Sequence, residues 1–98
     1  MKKRGRTRVI YDLLRLLEKR ENTMSRLYYR LSISYTALKP YLDCLARNGL
    51  IERRNATEDE LRKEGRSKHY IELTDAGRRF LRELESLNKR YGGILLGE

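Results

Sequence analysis

Ser34-Tyr35-Thr36-Ala37-Leu38-Lys39-Pro40-Tyr41-Leu42-Asp43-Cys44-Leu45-Ala46-Arg47-Asn48-Gly49-Leu50-Ile51-Glu52-Arg53-Arg54 is the stretch that decides the fold. Ala37, Leu38, Tyr41, Leu42, Leu45 and Ala46 repeat with helical period, so one face of a helix is apolar. Ser34 stands where a side-chain oxygen can accept an orphan amide of the first turn, and Asn48-Gly49 is a strong stop. Pro40 removes the donor that would reach back to Thr36, which predicts a kink or a delayed regular start. Leu50 to Arg54 then reads as a strand, and Ser67 to Leu73 as its return.

Upstream, Ser25 is the expected cap of a helix of about two turns whose apolar side is Leu27, Tyr28 and Leu31. Met24 before it is expected to make a brief extended contact, and Glu21-Asn22-Thr23 breaks the pattern. Before the break, Ile10, Leu13, Leu14 and Leu17 predict a first helix over roughly 8–20 with Thr7 as its cap. Downstream of the first strand, Asn55 to Arg66 is too long for a tight hairpin, and Thr57-Glu58-Asp59-Glu60 suits a capped helical turn within it. Thr74 caps a last helix of about 16 residues with Phe80, Leu84, Leu87 and Tyr91 in a narrow heptad-like stripe. Gly92-Gly93 should loosen or end that helix, and the apolar Ile94-Leu95-Leu96 beyond it needs a covering surface.

The chain has 98 residues, enough for one core but not for separate substrate and cofactor domains. Hydrophobic residues at 39% in periodic runs argue against disorder. A lone Cys44 and a lone His69 give neither an internal disulfide nor a zinc spacing, so a metal-free, cofactor-free intracellular protein is expected. The basic N-terminus is followed by apolar residues that Asp12, Arg15 and Glu18 interrupt, so neither a signal peptide nor a membrane span is read. No nucleotide-binding glycine loop and no nucleophile with a base is visible, and an enzyme is not expected.

The formal net charge is +9, and its distribution matters more than its size. Lys2, Lys3, Arg4, Arg6 and Arg8 have no acidic companion in the first eight residues, and Arg26, Arg30, Lys39 and Arg47 face only Asp43 between residues 23 and 48. From residue 72 onward acids and bases cancel. An excess concentrated in the first half points to a polyanion, nucleic acid first.

Two short helices joined by about three residues, the second longer and capped by Ser, match a helix-turn-helix, and the hairpin after it matches a wing. The expected class is therefore mainly α with a small β-hairpin (α+β), divided into a basic arm at 1–7, a winged body at 8–73 and a C-terminal helix with apolar tail at 74–98. Arg6 to Leu14, Leu31 to Tyr35, Leu38, Tyr41-Leu42, Asn48 to Ile51 and Ile71 to Thr74 with Gly77 and Phe80-Leu81 resemble an archaeal ArnR-like winged helix-turn-helix family. They are similar also to small Sulfolobus chromatin-type proteins that pair through a C-terminal helix. The resemblance covers roughly residues 7–91 and implies homodimers that bind double-stranded DNA in the cytoplasm, on the nucleoid or in a viral host.

With Leu38, Leu42 and Leu45 turned inward, Tyr35, Thr36 and Lys39 form the exposed amino end that a recognition helix presents to the major groove. Lys39 suits guanine, Thr36 a thymine methyl or a phosphate, and Tyr35 a phosphate; the bland alternative is a solvated helix face. Ser34 is a cap first, beside amides that suit a phosphate. Arg26 and Arg30 stand either at the DNA backbone or in pairs with acidic neighbours. Arg62, Lys63, Arg66 and Lys68 reach phosphates or the minor groove, or else are balanced by Glu58, Asp59, Glu60 and Glu64. Lys2, Lys3, Arg4 and Arg6 form an arm that adds affinity more than sequence choice. Phe80, Leu84, Leu87, Tyr91, Ile94 and Leu95 are the expected dimerisation surface. Cys44 is expected to be a small buried hydrophobe, His69 to share a strand face with Ile71 and Leu73, and Tyr11, Tyr28 and Tyr41 to be core or boundary residues. A coating DNA-binding protein and a protein-docking module remain the alternatives to a regulator.

Overall fold

The computed structural model describes residues 5–20, 23–55, 57–59, 62 and 69–97. Its elements are α1 (Arg6–Glu18), α2 (Met24–Leu31), α3 (Tyr35–Arg47), β1 (Ile51–Asn55), β2 (His69–Leu73) and α4 (Asp75–Arg90). The strands pair antiparallel with Arg53 opposite Ile71. Leu13, Leu14 and Leu17 of α1, Leu27 and Leu31 of α2, Leu38, Leu42 and Leu45 of α3, Ile51, Ile71, Leu73 and Leu81 form one core. The leucines of the first three helices are periodic apolar positions of the sequence, whereas Tyr28, Ala37 and Ala46, read on the same apolar faces, are exposed, and α4 reaches the core through Leu81 beside the expected stripe. No described helix is long and apolar enough to cross a membrane.

Two caps differ from expectation. Helix α1 starts at Arg6 behind Gly5, which has extended backbone and no side-chain bond, so Arg6 and Thr7 are helical rather than part of an arm. Helix α2 is capped by Thr23, not Ser25: Thr23 Oγ1 accepts from the Arg26 amide at 3.3 Å. The reason is tertiary, because Thr23 is buried and bridges Tyr70 of β2, which holds it in the extended conformation a cap needs. The turn into α3 passes through Ser32 in the left-handed region at φ 55°, and Ile33 N donates to Tyr28 O at 3.2 Å.

Helix α3 behaves as its sequence requires at both ends. Ser34 Oγ accepts from Ala37 N at 3.2 Å, and Gly49 at φ 72° turns the chain out toward β1. Pro40 does not delay the start, since the helix is continuous from Tyr35. Thr36, whose carbonyl would otherwise receive the missing amide, is exposed and can be served by water. Leu50, expected in the strand, lies in the turn, where its carbonyl accepts from Thr74 N at 3.1 Å. Of the expected return strand, Ser67 and Lys68 lie outside the described residues. Glu58 and Asp59 of the expected turn are helical, while Glu60 lies outside.

Thr74 joins the two halves of the body. Its hydroxyl donates to Gly49 O at 2.6 Å and accepts from Gly77 N at 3.0 Å. A side chain on Gly77 would come within 2.0 Å of Leu50 O, so only glycine lets the first turn of α4 seat on the α3–β1 turn. Helix α4 ends after 16 residues at Tyr91. The chain then doubles back through Gly92 and Gly93, both at positive φ. The Asn88 side chain accepts from Leu96 N at 3.0 Å, and Arg8 donates to Leu96 O at 3.4 Å, so Leu96 is buried against the start of α1.

Candidate nucleic-acid interface

The outer side of α3 follows directly from its inner side. Burying Leu38, Leu42 and Leu45 turns Thr36 and Lys39 away from the core, whereas Tyr35, on nearly the same side as Leu42, stands clear of it as the first residue of the helix; all three are exposed as expected. Ser34, which caps them, is exposed as well. Between α3 and β1 runs an open groove of about 1040 Å³ whose lining includes Tyr35, Thr36, Lys39, Asp43, Arg47 and Arg53. Beside it a smaller recess of about 330 Å³ is lined by Met24, Tyr35, Lys39, Arg53, His69 and Ile71. The amino ends of α2 and α3 and the hairpin therefore meet on one face, with Tyr35, Lys39 and Arg53 common to both hollows.

Asp43 organises the charge on this face. Its two carboxylate oxygens face different cations: Lys39 Nζ at 3.2 Å from the preceding turn and Arg53 Nη2 at 3.4 Å from β1. Arg53 and Asp43 were not among the residues expected to matter. The signal for Asp43 was its place four residues after Lys39, and for Arg53 its place two residues after Ile51 on the same side of a strand. Arg54 is committed elsewhere, paired with Glu72 at 2.8 Å and stacked over the Tyr70 ring at 4.8 Å.

Other expected residues divide among three situations. Arg26 and Arg30 are exposed on α2, and Arg62 is exposed beyond β1. Arg6 is exposed on the first turn of α1. Lys2, Lys3, Arg4, Lys63, Arg66 and Lys68 lie outside the described residues. One expectation is corrected: Cys44 is exposed, not buried, because a helix residue next to Leu45 is turned about 100° away from it. His69 shares the β2 face of Ile71 and Leu73 as expected, and as the first residue of the strand it is exposed and lines the recess with Ile71. Tyr11 and Tyr41 pack partly on the core, whereas Tyr28 is exposed.

The expected dimerisation stripe is divided by the fold. Leu84 is buried and Phe80 packs partly on the chain's own core, whereas Leu87 and Tyr91 are 43% and 61% exposed. Ile94 and Leu95 are exposed with them, at 75% and 41%. Four exposed apolar side chains thus fall at the end of α4 and in its tail, in a stretch where Lys89 and Arg90 are exposed too.

Comparison with known proteins agrees with this architecture. A family model described as winged helix-turn-helix matches residues 3–91. No curated protein matches the chain by sequence. Among solved structures, the fold is similar to that of a MarR variant from E. coli complexed with operator DNA, with TM-score 0.65, 22% identity, and 81% of this chain on 53% of that one. It is similar to the transcriptional regulator BldR from Sulfolobus solfataricus, with TM-score 0.70, 20% identity, and 92% of this chain on 60% of that one. It is similar also to Sso10a-2, a DNA-binding protein from the same organism, with TM-score 0.66, 24% identity, and 93% on 85%. The chain spans only 53% of the MarR chain and 60% of BldR, so what they share with it is a fold rather than a whole protein. With the helix pair, the hairpin and a family match over nearly all its length, the chain belongs to the winged helix-turn-helix family.

Proposed function

We propose that the chain is a double-stranded DNA-binding transcriptional regulator that works as a homodimer in the cytoplasm. Its chemistry is binding and not turnover. The observation that supports this reading best is the exposed amino end of α3, where Tyr35, Thr36 and Lys39 stand beside Arg53 of the hairpin. A helix of this width enters the major groove, where a Lys at its leading end suits guanine O6 and N7. Arg26 and Arg30 on α2, Arg6 at the start of α1 and the wing cations then serve the phosphates, which fix register and affinity more than sequence. The apolar patch of Leu87, Tyr91, Ile94 and Leu95 is the surface for the second copy.

Selection of bound sequences from a random duplex pool, at stated salt, tests this. One recovered motif with pseudo-two-fold symmetry is the expected result. Recovery of no motif despite tight binding would instead support a coating protein, a reading encouraged by the similarity in fold to Sso10a-2. Failure to bind any duplex at low salt would defeat both.

A further inference from the structure

Asp43 lies in the middle of the surface on which the DNA reading rests, yet a carboxylate there repels every phosphate that approaches it. Its geometry resolves the conflict. Each carboxylate oxygen holds a different cation, Lys39 of α3 at 3.2 Å and Arg53 of β1 at 3.4 Å, so one acid occupies two groups that would otherwise be open to a phosphate. Asp43, Lys39 and Arg53 are all about half exposed, and pairs of this kind are weak. The clamp can therefore open in favour of a better partner. Glu52 lines the same groove and adds a second acid to it.

We propose that Asp43 is a specificity-determining residue, a charge clamp that withholds Lys39 and Arg53 from indiscriminate phosphate contact. The inference rests on the DNA-binding reading above. A duplex offering only phosphates must displace a carboxylate and then remain beside it, so backbone contact alone gains little. A matched site compensates both partners: guanine O6 and N7 accept from Lys39, and a cytosine N4 amino group donates to the freed Asp43. Lys39 and Asp43 are about 6 Å apart along the helix, close to the span of two base-pair steps. Asp43 thus lowers binding to wrong sequences more than to right ones.

The test measures affinity of the full chain for its selected site and for a duplex without that site, across a salt series. Asp43→Asn, which keeps the side-chain volume, should tighten binding to the unselected duplex by about tenfold and steepen its salt slope by up to about two, one for each cation released. The ratio of specific to non-specific affinity should fall. Asp43→Glu restores the charge and should return both quantities toward the wild-type values. Glu52→Gln removes an equal charge from the same groove without touching the clamp and should have the smaller effect. If wild type binds but Asp43→Asn matches it in affinity and slope, or if Glu52→Gln gives an equal gain, the clamp is overturned while the DNA reading stands. If wild type binds no duplex at low salt, the DNA reading fails and takes the clamp with it.

Discussion

Helices α3 and α4 are built alike and present opposite surfaces. Each begins on a hydroxyl cap, Ser34 or Thr74, and each buries leucines at helical spacing. On α3 the exposed side sets Thr36, Lys39 and Arg47 among Ala37, Pro40, Cys44 and Ala46, with Lys39 and Arg53 both paired to the half-exposed Asp43. On α4 two of the cations, Arg78 and Arg82, are engaged with neighbours. Arg82 pairs with Glu18 of α1 and with Glu85, Arg15 reaches Glu85 at 3.6 Å, and Arg78 meets Asp75 at 3.3 Å. At its far end α4 leaves Leu87 and Tyr91 exposed beside Lys89 and Arg90. The difference teaches that net charge does not locate a site. Part of the +9 of the chain goes into joining α1 to α4, so the total does not say which surface suits a polyanion.

The largest expected effect lies at the joint between these two regions. Gly77→Ala drives a methyl group toward the Leu50 carbonyl, a backbone atom that already accepts from Thr74 N and cannot yield easily. A loss of about 3 kcal/mol is expected, read as a fall in midpoint in urea or heat. A single shifted transition would show that α3 and α4 unfold together. Two separate transitions would show instead that the two surfaces belong to independent units.

Next in size is the apolar end of α4. Leu87→Asp together with Ile94→Asp should weaken self-association about 100-fold, measured by sedimentation, since each change removes an exposed apolar side chain from the contact. Monomer stability should hardly change, because neither residue is in the core. A wild-type chain that stays monomeric at high concentration would break the comparison, leaving α4 with no partner of its own kind.

On the other surface, Lys39→Ala should lower the ratio of specific to non-specific affinity about tenfold, whereas Arg26→Ala should weaken all duplexes alike and reduce the salt slope by about one. Equal behaviour of the two variants would mean that α3 reads no base.

The contrast between the helices was partly legible in the sequence. The three-helix body, the hairpin and the exposure of Thr36 and Lys39 follow from period together with the cap at Ser34 and the stop at Asn48-Gly49, because burying one stripe fixes the opposite one. What period could not supply was anything that depends on a distant partner. Thr23 displaced Ser25 as a cap because Tyr70, almost fifty residues later, holds it extended. Asp43 and Arg53 became part of the α3 face because β1 packs beside it, and no local pattern specifies that distance. Phe80 and Leu84 share a stripe with Leu87 and Tyr91 in sequence, yet the first pair meets the core and the second outlasts it. Leu96 was read with Ile94 and Leu95, but Gly92 and Gly93 reverse the chain and bring Leu96 alone inside.

The smallest expected effect compares the two caps directly. Ser34 makes one side-chain bond, to an exposed amide at 3.2 Å, and water can replace it. Thr74 makes two, donating to Gly49 O and accepting from Gly77 N, at a place where α4 seats on the α3–β1 turn. Ser34→Ala should therefore cost about 0.5 kcal/mol and Thr74→Ala about 1.5 kcal/mol, a difference of about 1 kcal/mol resolvable in paired denaturant titrations. Thr74→Ser keeps the hydroxyl and should stay near wild type. Equal losses for the two alanine variants would mean that the bond to Gly49 adds nothing, and that α4 is held to the α3–β1 turn by the Gly77 contact and the leucines beneath it.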